Sequence, residues 1–546
     1  MDKMIRETVA GKVSGLIDYN GTLSWKGVPY AAPPVGRLRW RAPREPIPWD
    51  GVREAHEFEP FAAQFFSLPD FTRTNHVVGD EDCLYLNVWR PDTEEKDLPV
   101  YFWIHGGSNN TGRSNDYSGA NLALTANMVV VTINYRLGPF GWFNHPALKT
   151  GDPLDDSGNY GLLDAIMALK WVQANITGFG GDPGRVTVAG ESAGGQDTLA
   201  LLICPLAEGL FHGAISQSGV THTPTPEEGR IRVEQNITRL LVRDGVPADT
   251  VEKSQARMTD ENISEYLRSK NTTEIMISQL DKAGVIAGYG SFIDGTVIPG
   301  PVLEMFTSGK FNRMPMILGA NLDEWKFFAP LIPPFMPGQK DYTILKDALW
   351  GEKDLEEVLP GNEAKKEYDN VCFTASRVWM LIGADSIARA ARMHQDDVYA
   401  YHFKWGNRGT ATPEYESVLG AAHSMEISFF FGNEPGTWIS PITEENIKGR
   451  ESLSRDMQHY LASFAAEGNP NGNKTDGLPE WERWSNEKGG VKAMSLDADL
   501  VSSKIGMETE EITIASIKED LKRMKPENAA LAEIQAGIFF TGWDEI

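Results

Sequence analysis

Gly190-Glu191-Ser192-Ala193-Gly194 is the stretch of this sequence from which its fold is best predicted. Residues 185–189 (RVTVA) before it are typical of a strand, and residues 198–202 (TLALL) after it are typical of a helix. A G-x-S-x-G segment at such a junction indicates a nucleophile elbow, in which a sharp turn holds the serine hydroxyl clear of the sheet. The pentapeptide alone is a weak signal, so a catalytic serine here requires partners elsewhere in the chain.

The composition is that of a globular protein, with 41% hydrophobic and 10% aromatic residues. A chain of 546 residues can form one large α/β domain with insertions, or two or three smaller domains. No run approaches the roughly 20 apolar residues of a membrane span. The formal net charge of −25 argues against nucleic acid and anionic membranes as partners. It would attract cationic substrates, although an acidic soluble surface is the simpler explanation.

The N-terminus and the cysteines bear on location and cofactors. Residues 1–7 (MDKMIRE) contain no apolar core of a signal peptide, which predicts a cytoplasmic protein. A secreted protein whose signal had been removed would have the same N-terminus. Cys83, Cys204 and Cys372 are too few for a disulfide framework, and none lies in a metal-ligand cluster.

Strand and helix patterns alternate in the first third of the chain, which predicts βαβ units and a largely parallel sheet. Buried strands are predicted at residues 99–104, 128–133, 314–319 and 398–403, and an amphipathic helix at residues 160–174. The remaining chain is more helical and more charged, as in residues 450–464. We interpret this part of the chain as helical insertions, roughly within 225–300 and 330–480, that would cap the sheet and shape a pocket.

Two glycines after a predicted strand indicate an oxyanion hole. His105-Gly106-Gly107 directly follows the strand predicted at 99–104. The N–H groups of Gly106 and Gly107 would join that of Ala193 in binding an oxyanion. An ordinary Gly-Gly turn would have the same sequence, but its occurrence alongside Ser192 favours the oxyanion hole.

A serine nucleophile needs a histidine to accept its proton and a carboxylate to orient that histidine. After a nucleophile elbow the usual chain order is serine, acid, histidine. Glu324 follows a predicted strand and is the acid candidate, with the neighbouring Asp323 as an alternative. His423 is the base candidate, because small residues precede it and an apolar run follows. Taken singly, a glutamate after a strand is more often a solvated surface charge, and a histidine in such a place is more often structural.

With these segments assigned, the chain resembles the type-B carboxylesterase family, the cholinesterase-like branch of the α/β-hydrolases, over nearly its whole length. The matching motifs occur in the family's order at residues 27–31 (GVPYA), 81–87 (EDCLYLN), 134–136 (NYR), 158–162 (GNYGL), 179–183 (FGGDP), 190–195 (GESAGG), 321–324 (NLDE) and 420–426 (GAAHSME). The resemblance implies a single domain over residues 1–546 with an α/β-hydrolase fold: a large, mostly parallel central sheet flanked by helices, with helical insertions capping the active site. It implies no metal and no organic cofactor.

The resemblance also implies roles for individual residues. Ser192 would be the nucleophile, Glu324 the triad acid and His423 the base, and the oxyanion hole would consist of Gly106, Gly107 and Ala193. Two secondary candidates are Glu191, which would tune the electrostatics of the pocket or hold a water, and Ser218. The serine at the position of Ser218 often forms a hydrogen bond near the triad, but a buried structural serine is an equal alternative.

This chain departs from the family pattern at a disulfide position and in the loop after His105-Gly106-Gly107. Ala63 stands where a cysteine would pair with Cys83, so the family's disulfide at this position is absent. After His105-Gly106-Gly107 the family often has a glycine and an aromatic residue, whereas this chain has Ser108, Asn109 and Asn110. The second departure predicts a more polar pocket rim and a substrate with polar groups.

We therefore predict a serine carboxylester hydrolase that cleaves short- to medium-chain esters through an acyl-enzyme intermediate. A hydrolase specialised for amides, carbamates, or natural-product or toxin esters would use the same triad and is the nearest alternative. A non-catalytic, cholinesterase-like binding protein is the remote alternative. Such relatives usually lack a triad residue, and all three are present here.

Overall fold

The computed structural model describes residues 3–67, 73–221, 223–280, 289–331, 342–407, 409–433, 441–472 and 477–524. Its strands are β1 Ile5–Thr8, β2 Gly11–Ser14, β3 Leu16–Ile17, β4 Leu23–Pro29, β5 Val52–Glu54, β6 Gln64–Ser67, β7 Arg73–Val78, β8 Tyr85–Arg90, β9 Leu98–Ile104, β10 Val129–Ile133, β11 Gly181–Glu191, β12 Gly213–Gln217, β13 Met316–Asn321, β14 Val398–Phe403, β15 Ala493–Ala498 and β16 Ser503–Glu508.

The helices are α1 Ala120–Ala126, α2 Gly138–Gly141, α3 Tyr160–Asn175, α4 Ala193–Ile203, α5 Pro226–Arg243, α6 Val251–Gln255, α7 Asp260–Ser269, α8 Thr272–Ser278, α9 Val302–Thr307, α10 Glu324–Phe328, α11 Leu345–Leu349, α12 Leu355–Val358, α13 Gly361–Met380, α14 Ser386–Arg392, α15 Pro413–Val418, α16 Ile427–Phe431, α17 Ile447–Glu467 and α18 Ile514–Lys522. A π-helical turn, Leu381–Asp385, joins α13 to α14.

A mixed sheet of eleven strands lies at the centre of the described chain, in the order β16-β15-β14-β13-β12-β11-β9-β10-β8-β4-β3. Neighbours from β15 to β10 pair in parallel. The pairs toward both edges are antiparallel. The predicted large, mostly parallel sheet is confirmed. In such a sheet the loops after the parallel strands gather at one edge, where ligands bind.

Both faces of the sheet are covered, as the continuous apolar runs of its central strands predict. All seven residues of β9 are buried. Its side chains alternate: Phe102 and Ile104 enter the core on one face together with α3 and α4. Tyr101 and Trp103 enter a second core on the other face, beneath α17. The strands predicted at residues 99–104, 128–133, 314–319 and 398–403 are confirmed as β9, β10, β13 and β14, and the predicted helix as α3.

The two regions predicted as helical insertions differ in content. Helices α5 to α8 occupy the region 225–300. The region 330–480 holds α11 to α17 but also β14, a strand of the central sheet. The single-domain organisation and the capping role of these regions stay predictions.

One helix in the described residues, Gly361–Arg392, is long and apolar enough to cross a membrane by length and composition. It combines α13, the π-helical turn and α14. Of the most apolar 18 residues in this helix, 89% are buried inside the protein. A buried core helix has the same length and composition, so this is weak evidence for a membrane span. Cys83, Cys204 and Cys372 are buried free thiols. No group of three or more His, Cys, Asp or Glu in the described ranges could hold a metal ion.

Candidate active site

Ser192 stands at the turn between β11 and α4, with φ 57° and ψ −120°. This is a strained conformation for a residue other than glycine, and it persists only where the surroundings hold it. The flanking glycines are required by close packing. A Cβ on Gly194 would lie 2.0 Å from the Ile104 carbonyl oxygen, and one on Gly190 would lie 2.3 Å from the Gly194 oxygen. The Ser192 N–H donates to the Gln217 carbonyl at 2.8 Å. The predicted elbow geometry is therefore present.

Glu324 and His423 meet in the interior, although 98 residues separate them along the chain. Nδ1 of His423 is hydrogen-bonded to Oε2 of Glu324, and both side chains are buried. The other carboxylate oxygen, Oε1, accepts from the Ser218 hydroxyl at 2.6 Å and from the Asn321 N–H at 2.7 Å. These bonds hold the carboxylate in place and leave Nε2 of the imidazole for other partners.

Backbone pairing brings the two loops together. Asp323 and Ala422 form a parallel β-bridge. The Asp323 N–H donates to the Ala421 carbonyl at 3.0 Å, and its carboxylate accepts from the Ala421 N–H at 3.1 Å. Asp323, the alternative acid, is thus engaged with the backbone of the His423 loop, whereas Glu324 reaches the imidazole.

Glu191 faces the other edge of the imidazole. Its Oε1 lies 3.1 Å from Nε2 of His423 and accepts from the Ser424 hydroxyl at 2.7 Å. Burial alone would lower the pKa of His423, but attraction to Glu191 and Glu324 outweighs it and raises that pKa to about 9. Burial raises the pKa of Glu191 to about 7, against the opposing effect of His423. The side chain proposed to tune the pocket thus contacts the candidate base directly.

The Ser192 hydroxyl forms no hydrogen bond to His423 within the described residues, and Nε2 faces Glu191 instead. Catalytic hydrogen bonds are often long or absent before substrate binds and tighten in the complex. Ser192 nevertheless lies in the same cluster, because a Cβ on Gly106 would be 2.9 Å from Glu191 Oε2 and 3.1 Å from Ser192 Cβ.

The loop after β9 lies against the elbow. Gly107 has φ +108°, a conformation that favours glycine. In the described part of the chain, the N–H groups of Gly106 and Gly107 donate to no acceptor. The N–H of Ala193, the first residue of α4, has no intrahelical partner because of its position. All three donors predicted for an oxyanion hole are therefore available.

The predicted polar rim is only partly present. Ser108 is exposed and Asn110 is half-buried, but Asn109 is fully buried and faces the interior. Its side chain bonds to Asp197 on α4, because the loop turns inward at this residue. Asn109 therefore does not line the rim.

Among the described residues, three aromatic side chains surround His423. The ring centroid of Trp379 lies 4.8 Å from that of the imidazole, Phe328 lies at 5.0 Å and Phe327 at 5.9 Å. Phe328 also stacks on Trp379. Because Phe327 and Phe328 are partly exposed, they present an apolar wall beside the candidate base.

Sequence reasoning missed several of these contacts. Trp379 belongs to no motif, so no local signal places it on His423. Ser424 and Glu426 lie inside the quoted motif at residues 420–426, but the motif alone does not show their partners. Glu426 is fully buried, and its Oε2 accepts from Asn321 Nδ2.

Known proteins with similar sequences are carboxylic ester hydrolases. The model of the Carboxylesterase family matches residues 2–514. Para-nitrobenzyl esterase of Bacillus subtilis is 33% identical over 475 residues, covering 86% of this chain and 91% of that protein. A medium-chain fatty acyl-CoA hydrolase precursor of Anas platyrhynchos is 35% identical over 492 residues, covering 84% of this chain and 82% of that protein.

Solved structures show the same fold. A PNB esterase superimposes with a TM-score of 0.71 at 30% identity, covering 95% of this chain and 99% of that chain. A carboxylesterase of Geobacillus stearothermophilus superimposes with a TM-score of 0.70 at 29% identity, covering 95% of this chain and all of the other. The α/β-hydrolase fold is confirmed. The chain belongs to the carboxylesterase family and is a carboxylic ester hydrolase.

Proposed function

We propose that this chain hydrolyses short- to medium-chain carboxylic esters with Ser192 as nucleophile, His423 as general base and Glu324 as the residue that orients the base. The observation that carries the proposal is the buried hydrogen bond between His423 Nδ1 and Glu324 Oε2. With Nδ1 occupied, Nε2 is the ring atom left to accept the serine proton.

In the acylation step, Ser192 Oγ attacks the ester carbonyl carbon while its proton passes to His423 Nε2. The carbonyl oxygen becomes an oxyanion that accepts hydrogen bonds from the N–H groups of Gly106, Gly107 and Ala193. The intermediate collapses when the C–O bond to the alcohol breaks, and the imidazolium returns the proton to the departing alkoxide. An acyl-enzyme on Ser192 remains.

Deacylation repeats these steps with water. His423 Nε2 accepts a proton from water, which attacks the acyl carbonyl through a second oxyanion intermediate. The bond to Ser192 Oγ then breaks, the serine regains a proton from His423, and the carboxylic acid leaves. Glu324 remains an anion that stabilises the imidazolium in both steps.

Two independent observations support apolar ester substrates, and the second includes a medium-chain acyl group. Phe327, Phe328 and Trp379 offer apolar surface next to the candidate base. Among the relatives, one is named for a para-nitrobenzyl ester and another for medium-chain fatty acyl-CoA. Plain alkyl and aryl esters of short to medium acids are therefore the substrates to test first.

The test compares p-nitrophenyl butyrate hydrolysis by the purified protein and by Ser192→Ala. We expect kcat/KM to fall by about 10⁴-fold or more in the variant. Ser463→Ala is a matched control, because Ser463 is a buried serine on α17. Its neighbour Phe464 lies against Gly213 at the start of β12, the edge of the sheet opposite Ser192. Activity that survives in Ser192→Ala would refute the assignment of the nucleophile. An inactive but folded wild-type protein would instead support a narrower substrate range or a binding protein.

A further inference from the structure

Asn109 and Asp197 form a buried polar pair beneath the loop that follows β9. Both side chains are almost completely inaccessible, at 0% and 1% exposure. Asn109 Nδ2 donates to Asp197 Oδ1 at 3.3 Å. The Tyr135 hydroxyl lies 3.1 Å from Asn109 Oδ1 and 2.7 Å from the His105 carbonyl oxygen. These contacts form one chain from the loop to the helix α4.

This chain of contacts connects the two elements that hold the proposed oxyanion-hole donors. Asn109 lies two residues after Gly107 in the loop. Asp197 lies on α4, whose first residue is Ala193. The distance between the loop donors and the helix donor therefore depends on contacts that cross from loop to helix. Within the described residues, Asn109 with Asp197 is the side-chain hydrogen bond that makes this crossing.

The loop needs such support because its backbone is strained. Ser108 and Asn109 both have left-handed backbone angles, with φ of 54° and 55°. Non-glycine residues keep this conformation only where their contacts hold it. The Ser108 carbonyl accepts from the Tyr289 N–H at 3.1 Å, and the Asn109 carbonyl accepts from the Gly138 N–H at 2.7 Å. The side chain of Asn109 adds the connection to α4.

The environment of Asp197 suits a neutral acid. Burial raises its pKa to about 7, and the Asn109 hydrogen bond opposes this shift only in part. The polar groups that face it are the Asn109 amide from the loop and the Tyr135 hydroxyl from the segment after β10. No charged side chain in the described residues shifts its titration. A neutral carboxylic acid presents a carbonyl oxygen to Asn109 as an amide would.

We propose that Asn109 and Asp197 are positioning residues that hold the loop after β9, which carries Gly106 and Gly107, in place relative to α4, the helix that directly follows Ser192. The inference rests on the proposed function, because the proposed function is what assigns the N–H groups of Gly106 and Gly107 to the oxyanion hole. The pair acts through Gly106 and Gly107 and does not contact substrate. Its removal would therefore weaken the binding of the transition state more than that of the substrate.

The experiment measures kcat and KM for p-nitrophenyl butyrate and the affinity for an aryl trifluoromethyl ketone, which adds to a serine and presents an oxyanion. In Asn109→Ala and Asp197→Ala we expect kcat about 10- to 100-fold lower, less than the loss of a whole oxyanion donor. The ketone should bind more weakly by a similar factor, with KM changed by less than about threefold. Asp197→Asn keeps the acceptor for Asn109 and should retain kcat within about threefold.

Asn175→Ala is the matched control. Asn175 is a buried asparagine at the end of α3, bonded to the Val9 N–H and the Trp171 carbonyl. Because α3 follows β10 and precedes β11, its end lies at the opposite edge of the sheet from Ser192. This variant loses similar hydrogen bonds and should retain both kcat and ketone affinity. Tyr135→Phe preserves volume and replaces the alanine variants if these do not fold; a severalfold lower kcat is expected.

The outcomes separate the inference from the proposed function. If Ser192→Ala stays active, the proposed function fails. If Ser192→Ala is inactive but the Asn109 and Asp197 variants match Asn175→Ala in kcat and ketone affinity, only the positioning role is refuted. Asp197→Asn that is as defective as Asp197→Ala would also overturn it, because the amide supplies the same acceptor.

Discussion

At the scale of single residues, His423 lies between two carboxylates with different consequences. Glu324 binds Nδ1 and is itself held by Ser218 and Asn321. Glu191 lies beside Nε2, the atom proposed to accept the serine proton. Both carboxylates favour the protonated imidazole. Glu324 acts on Nδ1, whereas Glu191 lies beside Nε2, the ring atom that would exchange a proton with Ser192. The charge of Glu191 therefore influences the pH at which His423 can act as a base.

Glu191→Gln should shift the acidic limb of the kcat/KM profile to lower pH, by about one unit. The wild-type pKa of His423 is raised to about 9, chiefly through Glu191 and Glu324 against the effect of burial. Removing one negative charge makes the imidazolium less stable, so the neutral base forms at lower pH. The measurement is kcat/KM for p-nitrophenyl butyrate from pH 5 to 10.

Glu208→Gln is the control for that profile. It removes the same charge from an exposed position after α4, and its acidic limb should coincide with that of the wild type. An unchanged or upward-shifted limb in Glu191→Gln would contradict the electrostatic role of Glu191.

At the scale of elements, the helix α13 and the π-helical turn that follows it pack against His423 and the loop that contains Ser218. Trp379 in α13 contacts His423, and its Nε1 donates to the Ser218 carbonyl at 2.9 Å. Gly383 lies in the π-helical turn, where a Cβ would be 2.2 Å from the Gly219 carbonyl oxygen. The turn thus approaches the Ser218 loop too closely for any side chain.

Gly383→Ala should lower the free energy of unfolding by about 1–3 kcal/mol, because the added methyl meets a backbone atom that cannot move freely. It should also lower kcat severalfold, since the shift would disturb Trp379 and Ser218 around the triad. Denaturant unfolding and esterase assays measure the two effects.

Gly229→Ala is the matched substitution, also within a helix, α5. There a Cβ would lie 3.6 Å from the Phe292 ring, an ordinary contact. The better helix propensity of alanine should leave stability equal or raise it by up to about 1 kcal/mol. If Gly383→Ala were as stable and as active as Gly229→Ala, the prediction that the Gly219 carbonyl leaves no room for a side chain at residue 383 would be wrong.

At the scale of the whole molecule, the chain carries a formal net charge of −25 at pH 7. Like charges repel and oppose the compact state, and salt screens this repulsion. The cytoplasmic location and the absence of nucleic-acid partners remain predictions from the sequence. Self-repulsion, in contrast, can be measured on the purified protein.

Raising NaCl from about 10 to 150 mM at pH 7.5 should raise Tm by a few degrees, because the screening length falls from about 30 to 8 Å. Near pH 5 the net charge should approach zero, since the isoelectric point expected from the sequence is about 4.9. The same change in salt should have little effect on Tm there. A Tm that falls with salt at pH 7.5 would mean that ion pairs outweigh the repulsion.

The sequence alone determined the features that depend on neighbouring residues. The parallel strands and the helix α3 follow from apolar periodicity, and the elbow at Ser192 follows from a G-x-S-x-G segment between a strand pattern and a helix pattern. The candidate residues Ser192, Glu324 and His423 were identified from local motifs and their order. The strand and helix predictions succeed because a short segment carries its own physical requirement, whereas the catalytic roles of these three residues stay predictions.

The tertiary structure alone decided how distant segments meet. It directs Glu324 to the imidazole and Asp323 to the backbone of the neighbouring loop. It turns Asn109 inward to Asp197, where the sequence predicted a pocket rim, and it packs Trp379 on His423. Side-chain direction in loops depends on which segments pack across the sheet, and adjacent residues such as Glu324 and Asp323 have nearly the same chemistry. Local sequence therefore cannot distinguish their roles.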